Sequence, residues 1–530
     1  MLLTLHRYVF RELLKVFVLA TIALTLVLSL GSVLRPVQEY GVGPRQVVYL
    51  MGYFLPITLT FVLPMAALFA AALVYGRLAS DNELDACKAS GVSLLTLVYP
   101  GLALAVMVAV ANLFLSFDVT PTFVHGAEKS LKADAKKILF RNIQRKGYYK
   151  VPDGRYLVYA DYADSQNDTL LGVVVTKTKD DRIEEITAVT SAKVKFNLHD
   201  GLNEVQITAY KPSQMRAEDE VWFDSELVSF KIQFGSLLGD EIKFKKVDEM
   251  KRIQSDLMRF DPVAKLARQT YAQLTAELLA QDIANRISND TNSLYRLHSA
   301  EKIVEFRATE CVAGDENNVK LSGQVVLTEY DATSKERLRT LRPTDASLHV
   351  EGDELAPTLA MDMYNARVEG SGELRMRYII RGLIPPRTVT DKFQNANTLQ
   401  NITPQAVSSA LPNGPSPRLK GLQDKLEIKL RKTFAEIGAE IHSRLVFALG
   451  CVPMILIGMA LGIIKRGGHL LSAFGASCVP AAVLVVCIIS GKHLTENLGS
   501  EAVSGLVLMW AGLVFLLLLA AVIYHKLLRY

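Results

Sequence analysis

Residue types that commonly carry out enzyme chemistry are scattered along this 530-residue sequence and form no recognisable motif. Its nine histidines include no H-E-x-x-H pair and its five cysteines include no C-x-x-C pair, so no metal site is predicted. The sequence also lacks a G-x-S-x-G nucleophile elbow and a G-x-x-x-x-G-K-S/T phosphate-binding loop. We therefore expect a non-enzymatic chain that needs no cofactor and does not itself bind ATP.

Polar residues with a more informative spacing occupy the 77–91 segment. Ser80 and Glu83 fit a capping box, in which two side chains close the first turn of a helix. Asp81 and Glu83 suit the positive end of that helix, and Gly91 suits the position after its last turn. The pattern predicts a short surface helix whose acidic side chains could contact a soluble motor. Alternatively, Glu83 merely closes its own helix end, and the spacing alone favours this second interpretation.

Long uncharged stretches flank the 77–91 segment and recur near the end of the sequence. Each is long enough to cross roughly 30 Å of hydrocarbon as a helix. The six stretches are Val16–Leu34, Val47–Tyr75, Val92–Phe117, Leu445–Ile464, Leu470–Gly491 and Val503–Tyr524. With a mean hydropathy of +0.21, they predict an integral membrane protein with three spans on either side of residues 118–444. No small-residue cleavage site follows the first stretch, so we expect a retained helix.

Basic residues near the span ends predict the orientation, because Lys and Arg there resist translocation. One set of span ends carries nine of them: Arg7, Arg11, Lys15, Arg77, Lys88, Lys465, Arg466, Lys526 and Arg529. The opposite set carries three: Arg35, Arg45 and Lys492. We therefore expect both termini in the cytoplasm and residues 118–444 on the other side of the membrane. That region contains a single cysteine, Cys311, so no disulfide can form within it.

Charge also argues against two classes of function. A net charge of +5 over 530 residues is too small to indicate nucleic-acid binding. The six stretches contain no Asp, Glu, Lys or Arg, whereas a transporter driven by ions or protons usually needs ionisable groups within the membrane. If this protein moves cargo, the energy must therefore come from another subunit.

The region between the third and fourth stretches predicts two β modules separated by a helix. Alternating strands with turn residues favour a sandwich, barrel or jelly roll, with separate strands at Ile183–Thr190 and Lys193–Asn197. Asp261-Pro262 suits the start of a helix. The predicted order is an N-terminal membrane half (1–117), a first β module (118–250), a helical insertion (251–300), a second small β module (301–387), a linker (388–418), a helix (419–444) and a C-terminal membrane half (445–530).

Short motifs near the spans carry a resemblance to a known family. They are Arg77-Leu78, Ser80-Asp81-Asn82-Glu83-Leu84, Ala89-Ser90-Gly91, Arg11-Glu12-Leu13-Leu14, Leu63-Pro64-Met65-Ala66-Ala67-Leu68, Glu440-Ile441-His442-Ser443-Arg444 and Lys465-Arg466-Gly467-Gly468. Together with the 3 + 3 arrangement of spans, they resemble the lipopolysaccharide-export permeases of the LptF/LptG (YjgP/YjgQ) family. The resemblance covers about 1–250 and 420–530, whereas residues 251–419 are far longer than the usual link.

This resemblance implies a permease subunit of an ATP-driven exporter in the bacterial inner membrane. The implied fold is an α-helical membrane protein with six transmembrane helices and a periplasmic β-jelly roll. The implied partners are a cytoplasmic LptB-like ATPase dimer and a second homologous permease. Lipopolysaccharide would pass to periplasmic LptC/LptA-like jelly-roll bridge proteins by edge-to-edge strand pairing.

Individual residues acquire candidate roles in two parts of the sequence. Glu83 matches the family's acidic residue that engages the ATPase. The same coupling surface would include Arg77, Asp81 and Leu84. Gly458 and Gly462 form a G-x-x-x-G motif that allows close approach of helices, either within one subunit or at a lateral gate.

Four further residues are candidate lipid contacts. Arg35 and Arg45 lie at the outer ends of spans one and two, where cations could meet lipid phosphates; alternatively they are ordinary interfacial anchors. Leu157 and Val174 occupy alternating positions in strands of the first β module and are candidates for an apolar groove.

Two rival functions are compatible with the same sequence. The first is a membrane-anchored periplasmic scaffold whose β modules bind a partner without transporting lipid. The second is a permease for another envelope lipid. A lipoprotein-release permease is disfavoured, because it predicts one span before the soluble region and three after it, rather than 3 + 3.

Overall fold

The computed structural model contains a helical membrane part and two antiparallel β-sheets. It describes the backbone of residues 2–40, 44–133, 135–151, 156–179, 182–199, 202–210, 213–216, 222–224, 227–234, 240–289, 294–299, 301–314, 317–351, 358–390, 399, 402–411, 414–464, 470–497 and 502–529. The first helices are α1 (Leu2–Tyr40), α2 (Pro44–Ser80), α3 (Glu83–Ala89), α4 (Leu94–Phe114), α5 (Thr120–Ala133) and α6 (Ala135–Lys146), with a π-helical turn at Leu115–Val119.

The first sheet follows α6 and is antiparallel throughout. Its strands are β1 (Tyr148–Lys150), β2 (Tyr156–Asp164), β3 (Thr169–Lys179), β4 (Arg182–His199), β5 (Leu202–Tyr210), β6 (Ser213–Arg216), β7 (Trp222–Asp224) and β8 (Leu227–Phe234). They are ordered β1-β2-β3-β4-β5-β8, with β6 paired to β4 and β7. The prediction of separate strands at Ile183–Thr190 and Lys193–Asn197 is wrong. Ser191 and Ala192 stay paired with β3 and form no turn, so β4 is continuous.

One face of the first sheet packs against α6. Val158, Val173 and Val175 alternate along β2 and β3 and are at most 3% exposed. They share a core with Leu139 and Phe140 of α6. Burying such a side chain stabilises the folded protein by about 1.5–3 kcal/mol. This face therefore holds the curled, jelly-roll-like sheet against α6.

A helical stretch and a second sheet follow. The helices are α7 (Val247–Ser255) and α8 (Asp261–Asn289), and α8 begins at the predicted Asp-Pro pair. The nine strands are β9 (Tyr295–His298), β10 (Lys302–Arg307), β11 (Glu310–Ala313), β12 (Asn318–Ser322), β13 (Val326–Asp331), β14 (Arg337–Arg342), β15 (Asp345–Glu351), β16 (Thr358–Val368) and β17 (Leu374–Leu383). They are ordered β11-β12-β15-β16-β14-β13-β10-β9, and β17 pairs with β16.

Helix α8 covers the second sheet and supplies much of its core. Leu274 and Leu278 of α8 are buried with Val304 and Phe306 of β10. The short helices α9 (Arg387–Thr390) and α10 (Pro404–Ala410) follow the sheet, and each contributes a buried valine to the same core. The second sheet is therefore packed against α8.

The last helices are α11 (Pro417–Ile464), α12 (Leu470–Glu496) and α13 (Ala502–Arg529). Within the described residues, six helices are long and apolar enough to cross a membrane. These candidate spans are Leu3–Ser29, Met51–Ser80, Leu94–Ser130, Pro417–Ile464, Cys478–Glu496 and Val503–Arg529. The predicted fold class is confirmed: three spans precede the two sheets and three follow them.

Candidate functional site

The 77–91 segment contains the last turn of α2, a turn at residues 81–82, the helix α3 and a second turn at residues 90–91. Asn82 has a φ of 58°, a left-handed conformation that Asn tolerates, and α3 begins directly after it. The predicted capping box is wrong. Ser80 still belongs to α2, and its hydroxyl donates to the Gly76 carbonyl at 3.0 Å, so it cannot close the first turn of α3.

The other end of α3 is closed as the glycine predicts. Gly91 has a φ of 81°, which a residue without a Cβ adopts freely. Its N–H donates to the Lys88 carbonyl, and the N–H of Val92 donates to the Cys87 carbonyl, both at 3.0 Å. These two bonds are those of a Schellman motif. They fix the path of the chain from α3 into α4.

The side chains of α3 divide into an anchored side and a solvent side. Leu84 is 2% exposed and lies in the same core as Leu78 and Leu94. Asp81 and Glu83 are exposed, and neither side chain has a hydrogen bond or ion pair with another described residue. Glu83 therefore presents its carboxylate to solvent at the positive end of a fixed helix.

Arg77 lies beside this surface but is half-buried. Its guanidinium is 3.2 Å from a carboxylate oxygen of Glu12, whose other oxygen accepts from Lys15 at 2.6 Å. This pair joins α2 to α1. The four predicted coupling residues are thus adjacent, but they differ in use: Leu84 and Arg77 hold the helices together, whereas Asp81 and Glu83 remain available to a partner.

The two glycines of the G-x-x-x-G motif face α2 of the same chain. A Cβ placed on Gly458 would lie 3.2 Å from the Leu68 carbonyl oxygen. A Cβ on Gly462 would lie 2.6 Å from the Ala72 carbonyl oxygen, closer than such atoms approach. Because glycine has no Cβ, Gly458 and Gly462 permit the close contact between spans four and two. Of the two alternatives, the structure places this motif in packing within one subunit.

The four candidate lipid contacts occupy two regions. Arg35 lies in α1 and Arg45 in α2, but their side chains fall outside the described residues. Leu157 and Val174 are half-buried on the face of the first sheet opposite the α6 core, because each lies beside a buried valine of that core in sequence. Their role in binding lipid stays a prediction.

A buried charge network was missed from the sequence. It lies where α11 enters the apolar part of the protein: Arg444 Nε donates to Glu440 Oε1 at 2.9 Å, and Lys492 pairs with the other oxygen. Arg444 also donates to the carbonyls of Lys243 and Lys245, at 2.7 and 3.2 Å. The four-residue spacing of Glu440 and Arg444 was the available signal. The network ties spans four and five to the segment that follows the first sheet.

Comparison with known proteins identifies the family. A family model described as "Lipopolysaccharide export system permease LptF/LptG" matches residues 7–285 and 346–526. The match extends beyond residue 250, where the motifs alone ended the resemblance, and leaves out residues 286–345, which hold strands β9 to β14. No curated protein matches the chain. Because the family model covers most of its residues, the chain belongs to the LptF/LptG family of lipopolysaccharide export permeases.

Proposed function

We propose that this chain is the permease subunit of an ATP-driven exporter that extracts lipopolysaccharide from the inner membrane and passes it to a periplasmic bridge. The observation that carries the proposal is the family match over a chain with six candidate spans. In this proposal the chain pairs with a second homologous permease and a cytoplasmic ATPase dimer. The bridge consists of periplasmic jelly-roll proteins that receive the lipid.

The contact with the ATPase is assigned to α3. Leu84 anchors this helix in the core of the membrane part, so a push on α3 is transmitted to α2 and α4. The carboxylates of Asp81 and Glu83 project into solvent and suit basic groups on a partner. An anchored helix with exposed, unpaired acidic side chains is suited to bind an ATPase.

This proposal is tested by the variant Glu83→Gln in the assembled complex. We expect less ATPase to co-purify and less ATP-dependent release of lipopolysaccharide from proteoliposomes, with normal membrane insertion. Glu336→Gln is the matched control, because Glu336 is also exposed but lies outside the helical membrane part, between β13 and β14. If both variants bind the ATPase and release lipid like the unaltered protein, α3 is not the coupling element.

Orientation is proposed from the nine-to-three distribution of basic residues at the span ends, which favours cytoplasmic termini. Ser90 follows α3 and Ser334 follows β13, and both are exposed. In intact cells, a membrane-impermeant thiol reagent should label Ser334→Cys from the periplasm and should not reach Ser90→Cys. The reverse pattern would contradict both the orientation and the export function.

The lipid path is proposed to follow the first sheet. Helix α6 occupies one face, so the face that carries Leu157 and Val174 is the one left for a lipid. Photo-crosslinkers at Leu157 and Val174 should capture lipopolysaccharide in an ATP-dependent way, more than one at Val158 of the α6 face. A crosslinker at Val312, which is 62% exposed on the second sheet, is the comparison. Capture at Val312 alone would favour the scaffold function for the first sheet.

A further inference from the structure

Both helices that flank α3 contain a proline in their interior. Pro100 lies near the start of α4, and Pro64 lies within α2. Because proline has no backbone N–H, each one leaves free the carbonyl four residues earlier, which is that of Thr96 or Thr60. A free carbonyl in an apolar helix destabilises the fold unless another donor reaches it. The two prolines therefore create two acceptors that their own helices cannot satisfy.

The Thr96 carbonyl accepts a hydrogen bond from the first helix of the chain. Nε2 of His6, in α1, lies 2.9 Å from the Thr96 oxygen. A carbonyl oxygen can only accept, so Nε2 carries the hydrogen and donates it. The next carbonyl, that of Leu97, accepts from the hydroxyl of the fully buried Tyr75 of α2 at 2.8 Å. Two different helices thus hold the start of α4 at adjacent carbonyls.

The Thr60 carbonyl accepts a hydrogen bond from a buried asparagine. Asn112 of α4 is 1% exposed, and its Nδ2 donates to this carbonyl at 2.6 Å. The Oδ1 atom of Asn112 is buried and has no hydrogen-bond partner among the described residues. An asparagine in an apolar core lowers stability unless its bonds are made, and the bond of Asn112 goes to the acceptor that Pro64 creates. This contact accounts for the asparagine at that position.

The two contacts lie in the helices that α3 connects. Leu84 anchors α3 in the same core as α2 and α4, so a displacement of α3 acts on both helices. A helix bends most readily where a proline interrupts its hydrogen bonds. Such a displacement would therefore bend α4 at Pro100 and α2 at Pro64. The donors of His6 and Asn112 lie at these two points of bending.

We propose that His6 and Asn112 are positioning residues that close α4 and α2 at their prolines and set the bend of each helix. A closed helix passes a push on α3 to the rest of the span, whereas an unsatisfied carbonyl would let the push open the helix locally. The proposal rests on the proposed export function, because it assigns how the push of the ATPase reaches the membrane part.

The hydrogen bond is tested by hydrogen exchange in the purified full-length chain in detergent. His6→Leu should raise the exchange rate of the amides in residues 94–101 roughly tenfold, because a buried carbonyl loses its donor. In Pro100→Ala, position 100 supplies an N–H to the Thr96 carbonyl, so exchange there should fall, and adding His6→Leu should change it by less than about twofold. His6→Gln keeps an N–H donor and should resemble the unaltered protein. His525→Leu is the control, because His525 is exposed at the end of α13.

The role in coupling is tested in the reconstituted complex by the lipopolysaccharide released per ATP hydrolysed. His6→Leu and Pro100→Ala should each lower this ratio roughly threefold, although they shift exchange in opposite directions, because one loosens the bend and the other straightens the helix. His6→Gln should restore the ratio. A merely structural role of His6 would lower stability without changing the ratio. Asn112→Leu paired with Pro64→Ala gives the same test in α2.

The outcomes separate this inference from the export function. If His6→Leu has the same effect on exchange with and without Pro100, His6 acts through another contact, such as its edge-on packing against Tyr99, and the inference fails. A normal ratio in Pro100→Ala would likewise overturn the role of the bend while the export function stands. If the unaltered complex releases no lipid, the export function fails and the coupling role fails with it, whereas exchange still decides whether His6 holds the Thr96 carbonyl.

Discussion

The Arg444 network predicts how strongly a substitution should increase cleavage by trypsin. Arg444 and Glu440 are 5% and 9% exposed, and Arg444 donates to two backbone carbonyls in and directly after the 3₁₀ turn at Ile242–Phe244. These carbonyls belong to Lys243 and Lys245, so they are the carbonyls of bonds that trypsin cleaves. The variant Arg444→Met should therefore free this segment and expose it to trypsin.

The expected loss of stability follows from the buried charge that Arg444→Met leaves without its partner. Removing one partner of a buried ion pair costs about 3–5 kcal/mol, because the remaining charge stays buried. Lys492 still pairs with Glu440 and is 28% exposed, so the lower end of this range applies. If the free energy of opening the segment around Lys243 and Lys245 falls by about 3 kcal/mol, the population of its open form rises roughly 100-fold. Under conditions in which the segment recloses faster than trypsin cuts, the cleavage rate rises by the same factor.

The assay is limited trypsin digestion in mild detergent, with mass spectrometry of the fragments that end at Lys243 and Lys245. Arg431→Met is the matched control on the same helix. Its guanidinium is 69% exposed and pairs with an exposed Glu427, so its loss costs about 0.3–0.5 kcal/mol and changes the cleavage rate about twofold. Equal digestion of the two variants would refute the argument that Arg444 fastens this segment.

Two further predictions concern packing and burial. Gly462→Ala should lower the apparent melting temperature, with a cost of roughly 1–3 kcal/mol for overpacking, because its Cβ would lie 2.6 Å from the Ala72 carbonyl oxygen; Gly438→Ala on the same helix, where a Cβ meets nothing within 4 Å, should not lower it. Burial raises the pKa of the Cys311 thiol to about 12, so iodoacetamide at pH 8 should alkylate Cys311 far more slowly in the folded than in the unfolded protein. The thiol of the unfolded protein ionises near pH 8.5, so the contribution of Cys311 burial to stability should fall as the pH rises above about that value. Rapid alkylation of Cys311 in the folded protein at pH 8 would contradict its burial.

The membrane part was predictable because a bilayer leaves few choices. A run of about 20 apolar residues can satisfy its backbone there as a helix, so each uncharged stretch coincides with a helix of the structure. The pattern of residues 419–444 predicts a helix before the fourth stretch, and in the structure both lie in α11, which runs from Pro417 to Ile464. The charged part of α11 packs on α8, and this contact has no local signal because α8 lies more than a hundred positions away in the sequence.

Local patterns also failed where the decisive partner was distant. Alternation along β2 and β3 defines two sets of side chains, but nothing in either strand indicates which set meets α6. Ser80 has the right spacing for a cap, yet α2 continues through it and uses its hydroxyl. The contact of Arg444 with Lys243 joins residues 201 positions apart. Such contacts depend on the whole fold, and only the paired charges hinted at them.

Helix α11 gives the protein a mechanical property. It has 48 residues, or about 70 Å of continuous helix at 1.5 Å per residue. Its apolar part packs on α2 through Gly462, while Ser416, directly before its first residue, donates its N–H to Glu277 of α8 at 3.1 Å. The helix therefore acts as a lever: if it tilts by ~10° at the level of Arg444, its N-terminal end moves by about 7 Å and carries the second sheet with it. The lever also works in reverse, so a load on the second sheet exerts a torque on span four.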